Sequence, residues 1–227
     1  MDLRTLLTSR KTLVLKIGDV ENQIRGSLHP FGIKLGTAKR RTFAERVREL
    51  TADLPRVAAI LDVLLQAYAA MLPSLNRLNR MMLGIAREHA VCRRLMTVPG
   101  VGAVVGLTFI AAIEDLARFV KSRSVGAILG MVPRKHQSGE VDRNGRITKT
   151  GDTEARAALF EAAHVMLHRV KKWSGLKAWA TKVAQRQGNK RATVALARKM
   201  AVVMHRMWGD RTTFRFGAVE APATTAA

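Results

Sequence analysis

Between Val57 and Ile85, apolar side chains recur at alternating steps of four and three: Val57, Leu61, Leu64, Tyr68, Met71, Leu75, Leu78, Met82 and Ile85. Such steps place every member on one narrow stripe of an α-helix, because a turn takes about 3.6 residues. A strand would alternate instead, and a loop would show no period. A stripe this narrow buries itself best against another helix. Two partners suit it: a second copy of the chain, giving a homo-oligomer through the 57–85 seam, or the helix of residues 2–28. An ordinary bundle helix remains a third reading. Pro73 lies inside the run and removes a backbone hydrogen bond to Ala69, so a kink or break is expected there.

Residues 2–28 read as an amphipathic helix, with Leu6, Leu13, Ile17, Val20 and Ile24 on its apolar face. His29-Pro30 and Gly32 end it. The basic stretch Lys34–Arg41 follows as a loop that either touches phosphates or is simply solvated. Thr42 can cap a short helix to about Leu50, with Glu45 at the capping-box position. Further on, residues 88–130 hold short helices around a Pro99-Gly100 turn, and residues 133–150 look extended. Asp142-Arg143-Asn144-Gly145 contains the Asn-Gly pair that favours a tight hairpin turn. Three helices are expected at about 152–172, capped by Asp152, then 174–187 and 190–208. The predicted fold is mainly α. A helical or coiled-coil oligomerisation region spans 1–87. A helical domain with a helix-hairpin-helix-like element and a small β-hairpin spans 88–216. A disordered tail covers 217–227.

Charge narrows the partner. Lys and Arg number 39 against 17 Asp and Glu, a formal net charge of +22. Such a surplus repels itself unless a polyanion neutralises it. The charge does not separate DNA, RNA and an anionic membrane. No apolar run reaches the roughly 18 residues of a membrane span, and Arg4, Arg10 and Lys11 interrupt any N-terminal signal core, so no membrane partner is expected. One cysteine, Cys92, excludes an internal disulfide and suits a reducing cytoplasm. It reads either as a buried structural residue or, beside Arg93 and Arg94, as a thiol of lowered pKa.

Two motifs carry candidate chemistry. Pro99-Gly100-Val101-Gly102 is flanked by Leu95 and Val98 before, and by Val104, Val105 and Leu107 after. Proline ends one helix, glycines permit close backbone approach, and the unpaired N–H groups opening the next helix can meet a phosphate. Contacts of that kind carry no base information. The alternative is a glycine-rich turn between two packed helices. Ser138 is the candidate nucleophile. Gly139 follows it, and Arg134, Lys135, Arg143, Arg146 and Lys149 surround it in sequence. A serine attacking a phosphodiester needs activation and a stabilised leaving charge, which guanidinium and ammonium groups supply. His136, two residues away, is the nearest conceivable base. Most Ser-Gly pairs merely shape turns. His164 and His168 sit one helical turn apart with Glu161 nearby, spaced either for a metal or for a stacked pair at the core edge. Arg191, Arg198, Lys199 and Arg206 form a phosphate-facing or a solvated surface. Trp173, Trp179 and Trp208 suit core packing.

The run Val91-Cys-Arg-Arg-Leu-Met-Thr-Val-Pro-Gly-Val-Gly102, then Gln137-Ser-Gly-Glu-Val-Asp-Arg-Asn-Gly-Arg-Ile-Thr-Lys-Thr-Gly151, then Glu161-Ala-Ala-His164 and the closing Ala195–Trp208 segment, resembles the insertion-sequence one-ten family of transposases. The resemblance covers residues 88–216, and the preceding helices resemble that family's connecting coiled coil. It implies a bacterial cytoplasmic, nucleoid-associated protein acting in DNA transposition and recombination. It also implies that Ser138 forms a transient covalent link to a DNA end. Pro99, Gly100, Gly102, Arg134, Lys135, Gly139, Arg143, Arg146 and Lys149 would contact DNA or RNA. The partners implied are element ends, target DNA, a structured guide RNA and further copies of the chain. Members of the family add an N-terminal resolvase-like domain with metal-binding acidic residues. No such stretch is recognisable in this chain. The expectation is therefore an N-terminally truncated form that binds no cofactor itself, with Mg²⁺ belonging to the resolvase-like domain. A catalytically silent remnant, or an inhibitor of intact transposase, is the alternative.

Overall fold

The computed structural model describes residues 3–119, 121–138 and 141–217, with 135–138 and 141–144 described by backbone alone. The expected tail beyond Gly217 lies outside the described residues. The fold is mainly α, as predicted, with a single two-stranded sheet among the described residues. It divides into two compact units, Met1–Met82 and Leu83–Ala227.

The first unit is built from α1 (Leu3–Leu28), α2 (Phe43–Leu50) and α3 (Pro55–Glu88), whose last turns continue into the second unit. Pro55 opens α3, where its missing N–H costs nothing. Helices α1 and α3 run antiparallel. Arg10 Nε donates to Asn79 Oδ1 at 2.6 Å, while further along α1 Glu21 Oε1 lies 3.1 Å from the Tyr68 hydroxyl. One core holds Ile17, Ile24 and Leu28 from α1, Phe43 and Val47 from α2, and Leu61, Leu65, Tyr68 and Leu75 from α3. Leu64 and Met71 pack against it half-buried. This stretch of the heptad stripe is therefore covered by the chain's own α1, the second of the two partners considered, together with α2. Burying each large side chain contributes about 1.5–3 kcal/mol.

Of the kink or break expected at Pro73, the break does not occur, for α3 continues through it. Both Pro73 and Ala69 are exposed, so the carbonyl that loses its intrahelical partner faces water. Thr42 stands before α2 but its side chain caps nothing; the hydroxyl lies 3.3 Å from Lys39 O instead. By length and composition α3 is apolar enough to cross a membrane, although no unbroken apolar run marks it in the sequence. One such helix is weak evidence, since its stripe serves a helical core in this structure. The outer face of α3 leaves Ile60 and Val63 more than 60% exposed.

The second unit contains α4 (Ala90–Leu95), α5 (Ala103–Ile113), α6 (Val125–Ile128), β1 (Pro133–Ser138), β2 (Val141–Ile147), α7 (Thr153–His168), α8 (Gly175–Gln187) and α9 (Asn189–Gly209). Helix α9 packs against α4, α6, α7 and α8, and α5 packs on α4 and α7. Small residues line these seams: Ala155, Ala162 and Ala163 on α7, Ala192, Ala197 and Ala201 on α9, all buried. Buried Met166, Met200, Met204 and Met207 fill the space between, as flexible thioethers can. Asp152 caps α7 as expected, accepting from the Ala155 N–H at 2.9 Å.

The hairpin turns in a different place from the one predicted. Asn144 and Gly145 lie within β2, and the strands are joined across residues 139–140, so that Ser138 pairs with Val141. Between Pro133 and Lys135 the register shifts, because Pro133 faces Ile147 while Lys135 faces Asn144. The Asn-Gly pair is thus used next to a bulge, a second common setting for glycine in a strand.

Tyr68 offers a test of the first unit. Its hydroxyl lies 3.1 Å from Glu21 Oε1 and 3.0 Å from Arg40 O, and burial, reinforced by Glu21, pushes its pKa up from 10.0 to about 12. Unfolded, the phenol ionises near 10, so the unfolded chain loses its proton first as pH rises. The contribution is intact below pH 10 and declines toward pH 12. Thermal melts should show Tyr68→Phe losing stability less steeply than the parent across that window; parallel slopes would contradict this assignment.

Candidate nucleic-acid interface

Helix α4 ends at Leu95 and α5 begins at Ala103, so two helices flank the Pro99–Gly102 turn. Leu95, Val98, Val101 and Leu107 anchor it, all at most 6% exposed. Its glycines divide the work. Gly100 has φ +86, and a Cβ there would stand 2.4 Å from Ala162 O and 3.1 Å from Met166 N. The close approach it permits is therefore to the backbone of α7. Gly102 is exposed, has open space about its Cα, and is the N-cap of α5 with no side-chain hydrogen bond. The opening N–H groups of α5 have no intrahelical acceptor. Pro99 is half-buried. Behind the turn, Gly106 lets α5 close on α4, since a Cβ would meet Cys92 Sγ at 3.0 Å. Cys92 is fully buried, and burial pushes its thiol up to about 11. The activated-thiol reading fails, because desolvation of the thiolate dominates here.

The second motif is built from its base upward. Gly130 has φ +67, and a Cβ would lie 1.9 Å from Thr150 O; Gly151 has φ +90, and a Cβ would lie 1.9 Å from Ile128 O. Two main-chain segments thus cross in contact. Lys149 N donates to Gly130 O at 3.0 Å and Thr148 N to Val132 O at 2.9 Å. Arg156, on the first turn of α7, closes the crossing. Its Nη1 lies 3.1 Å from Leu129 O, Thr150 O and Gly151 O, and its Nη2 donates to Thr153 Oγ1 at 2.9 Å. The hairpin is therefore fixed to α7 at its base, and Ser138 sits at its far end, the last residue of β1.

Of the cations expected around Ser138, Arg134, Arg146 and Lys149 are exposed. Arg134 Nη2 donates to Thr148 O across the strands at 3.2 Å, and Lys149 holds a left-handed backbone at φ +59. The side chains of Lys135, His136, Ser138 and Arg143, and the whole of Gly139, lie outside the described residues. Gly102 and the hairpin belong to the same unit. His164 and His168 do meet, with ring centroids 4.5 Å apart, but tilted at 49° and on the surface, not stacked at the core edge. No group of three or more His, Cys, Asp or Glu among the described residues could hold a metal ion.

Arg156 escaped the sequence reading. Its acceptors are backbone carbonyls, which have no signature in residue type, and an arginine one turn into a helix looks like any solvated cation. Gly130 and Gly151 bore a fainter signal, as isolated glycines flanking an extended stretch.

Residues 92–178 match the model of the Transposase IS116/IS110/IS902 family. It is 29% identical to the transposase for insertion sequence element IS1111A of Coxiella burnetii over 96% of this chain and 61% of that one. A probable family 20 transposase of Pseudomonas aeruginosa is 30% identical over 86% and 60% respectively. The transposase for insertion sequence element IS1328 of Yersinia enterocolitica is 27% identical over 85% and 58%. The chain thus spans about six tenths of the length of these curated relatives.

Replacing Arg156 with Leu removes the crossing's shared donor and leaves carbonyls short of a partner, at a cost of about 2 kcal/mol. Limited proteolysis should then cut between residues 130 and 150 well before the helices, while circular dichroism retains the helical signal. Protection equal to that of the parent chain would show that the glycines alone hold the hairpin.

Proposed function

We propose that this chain is a DNA-handling part of an insertion-sequence transposase, gripping phosphates at the α5 N-terminus and presenting Ser138 to a phosphodiester. In this reading Ser138 Oγ attacks phosphorus and displaces one ester oxygen, which leaves with a proton as a DNA hydroxyl. The DNA end is held as a serine phosphodiester until another DNA hydroxyl attacks and returns the serine. Arg134, Arg146 and Lys149, with Lys135 and Arg143, offset the charge on the pentavalent phosphorus. Gly102 lets a phosphate reach the free N–H groups of α5. The observation that carries the reading is the place of Ser138, at the tip of a hairpin whose base is locked and whose flanks are cationic.

Among the described residues no group of three or more His, Cys, Asp or Glu could hold magnesium. We assign it to the family's resolvase-like domain and route no step of this chain through it. Sequence choice falls to a structured RNA, since backbone contacts read no bases. Because α1 and α2 occupy much of the 57–85 stripe, self-association would use the outer face of α3, where Ile60 and Val63 are exposed. Val63→Asp should then lower the sedimentation mass at micromolar concentration, and an unchanged mass would remove that face from the assembly.

A covalent trap tests the chemistry. The chain is mixed with nicked element-end DNA, magnesium and a separately expressed resolvase-like domain. A denaturant-resistant protein–DNA adduct is expected, and Ser138→Ala should abolish it while changing DNA affinity less than about three-fold. Salt-sensitive binding with no adduct would make the chain a silent holder of DNA; an adduct that survives in Ser138→Ala would move the nucleophile elsewhere.

A further inference from the structure

Beyond the hairpin, the second unit has a cationic surface of a different construction. Residues 162–209 contain eleven Lys and Arg and no Asp or Glu, and residues 116–132 contain three and none. The fold brings these two segments together, with α6 and the 3-10 turn Ser122–Ser124 packed along α9. On α9, Arg191, Arg198 and Arg206 lie on one stripe with Ala195 and Val202, at steps of four, three, four and four, and Lys199 stands beside it. All four cations are exposed, while Ala192, Leu196, Met200 and Met204 are buried on the opposite stripe. Arg191 to Arg206 covers about 22 Å at roughly 1.5 Å per residue.

Two of these cations are held in place. The stem of Arg198 lies against Gly126, where a Cβ would meet its Cγ at 2.9 Å and its Nε at 3.1 Å. Lys199 Nζ sits 4.0 Å from the Trp179 ring centroid. Ser122 Oγ and His205 Nδ1, 3.0 Å apart, pin the turn that carries exposed Lys121 and Arg123 beside α9. A helix face that is merely solvated gains from opposite charges at spacings of three and four. This face has like charges only, and positioned like charges repel until a polyanion spans them.

We propose that the outer stripe of α9, with Lys121 and Arg123 beside it, is a second site for a nucleic-acid phosphate backbone, built from residues separate from the hairpin and the α5 N-terminus. The proposal rests on the reading that this unit handles nucleic acid. The stripe has no large exposed apolar side chain to enter a lipid interface, which sets it apart from a membrane-binding helix. Its use is to hold a second strand or duplex segment while the hairpin engages the first.

The test is a salt titration of binding by the full chain, read by anisotropy with a labelled duplex DNA and a duplex RNA of matched sequence. Removing one cation that neutralises a phosphate lowers the slope of log K against log salt by about 0.9 on B-DNA and by a similar amount on RNA. The triple variant Arg191→Gln, Arg198→Gln, Arg206→Gln should reduce that slope by about 2–3 on one duplex or both, and the duplex affected identifies the polymer. Lys16→Gln, Arg46→Gln, Arg56→Gln, a control of equal charge in the first unit, should reduce it by less than about 1. Gly126→Ala, which removes no charge but displaces Arg198, should weaken binding several-fold; Trp179→Leu, which frees Lys199, provides the same check should Gly126→Ala fold poorly. A triple variant indistinguishable from the control overturns the site, and if Arg146→Gln with Lys149→Gln still weakens binding, the hairpin reading survives. Absence of salt-dependent binding in the parent chain overturns both.

Discussion

Where residues 128–130 cross residues 149–151, two stretches of main chain come closer than any side chain would allow. Everything proposed for the hairpin depends on that crossing. It needs two glycines in left-handed conformation, and it leaves three carbonyl oxygens facing one point. Arg156 brings Nη1 to that point, and its Nη2 reaches Thr153 Oγ1 at the same time. The strands beyond contribute little of their own, since an isolated two-stranded hairpin is at best marginally stable in water. The base of the hairpin is joined to α7 through Arg156.

The Pro99–Gly102 turn and this crossing use glycine in the same way. Gly100 and Gly151 both bring main chain against main chain, and in neither case is the near neighbour a ligand. Only Gly102 keeps open space in front of it. A glycine-rich motif in sequence merges two demands, close packing inside the protein and close approach from outside. The structure separates them residue by residue.

The helices were legible because their signals are local. Period, caps and breakers placed α1, α2, α7, α8 and α9 within a few residues, and the stripe from Val57 to Ile85 defined α3. What failed was where solvent or a tertiary contact decides. Pro73 looks like a breaker until the carbonyl it strands is seen to face water. Asn144-Gly145 looks like a turn until the register assigns it to the bulge side of β2. Cys92 beside two arginines looks activated in sequence, yet its burial beneath Gly106 outweighs its neighbours. Of the candidate site, Ser138 and its cations were readable as residue types in a basic, glycine-bounded stretch. Arg156 was not, because its acceptors are main-chain atoms brought from both sides of the hairpin.

All the fixtures identified for the hairpin lie at its root. Gly130, Gly151, Arg156 and the two backbone hydrogen bonds of Thr148 and Lys149 stand on one side, and Ser138 with its loop on the other. The root behaves as a socket and the strands as an interchangeable blade. Substitutions along the blade leave these fixtures in place, whereas a side chain at Gly130 or Gly151 would meet main chain at 1.9 Å. A hairpin of altered length or sequence, grafted between Val132 and Thr148, would inherit the same mounting.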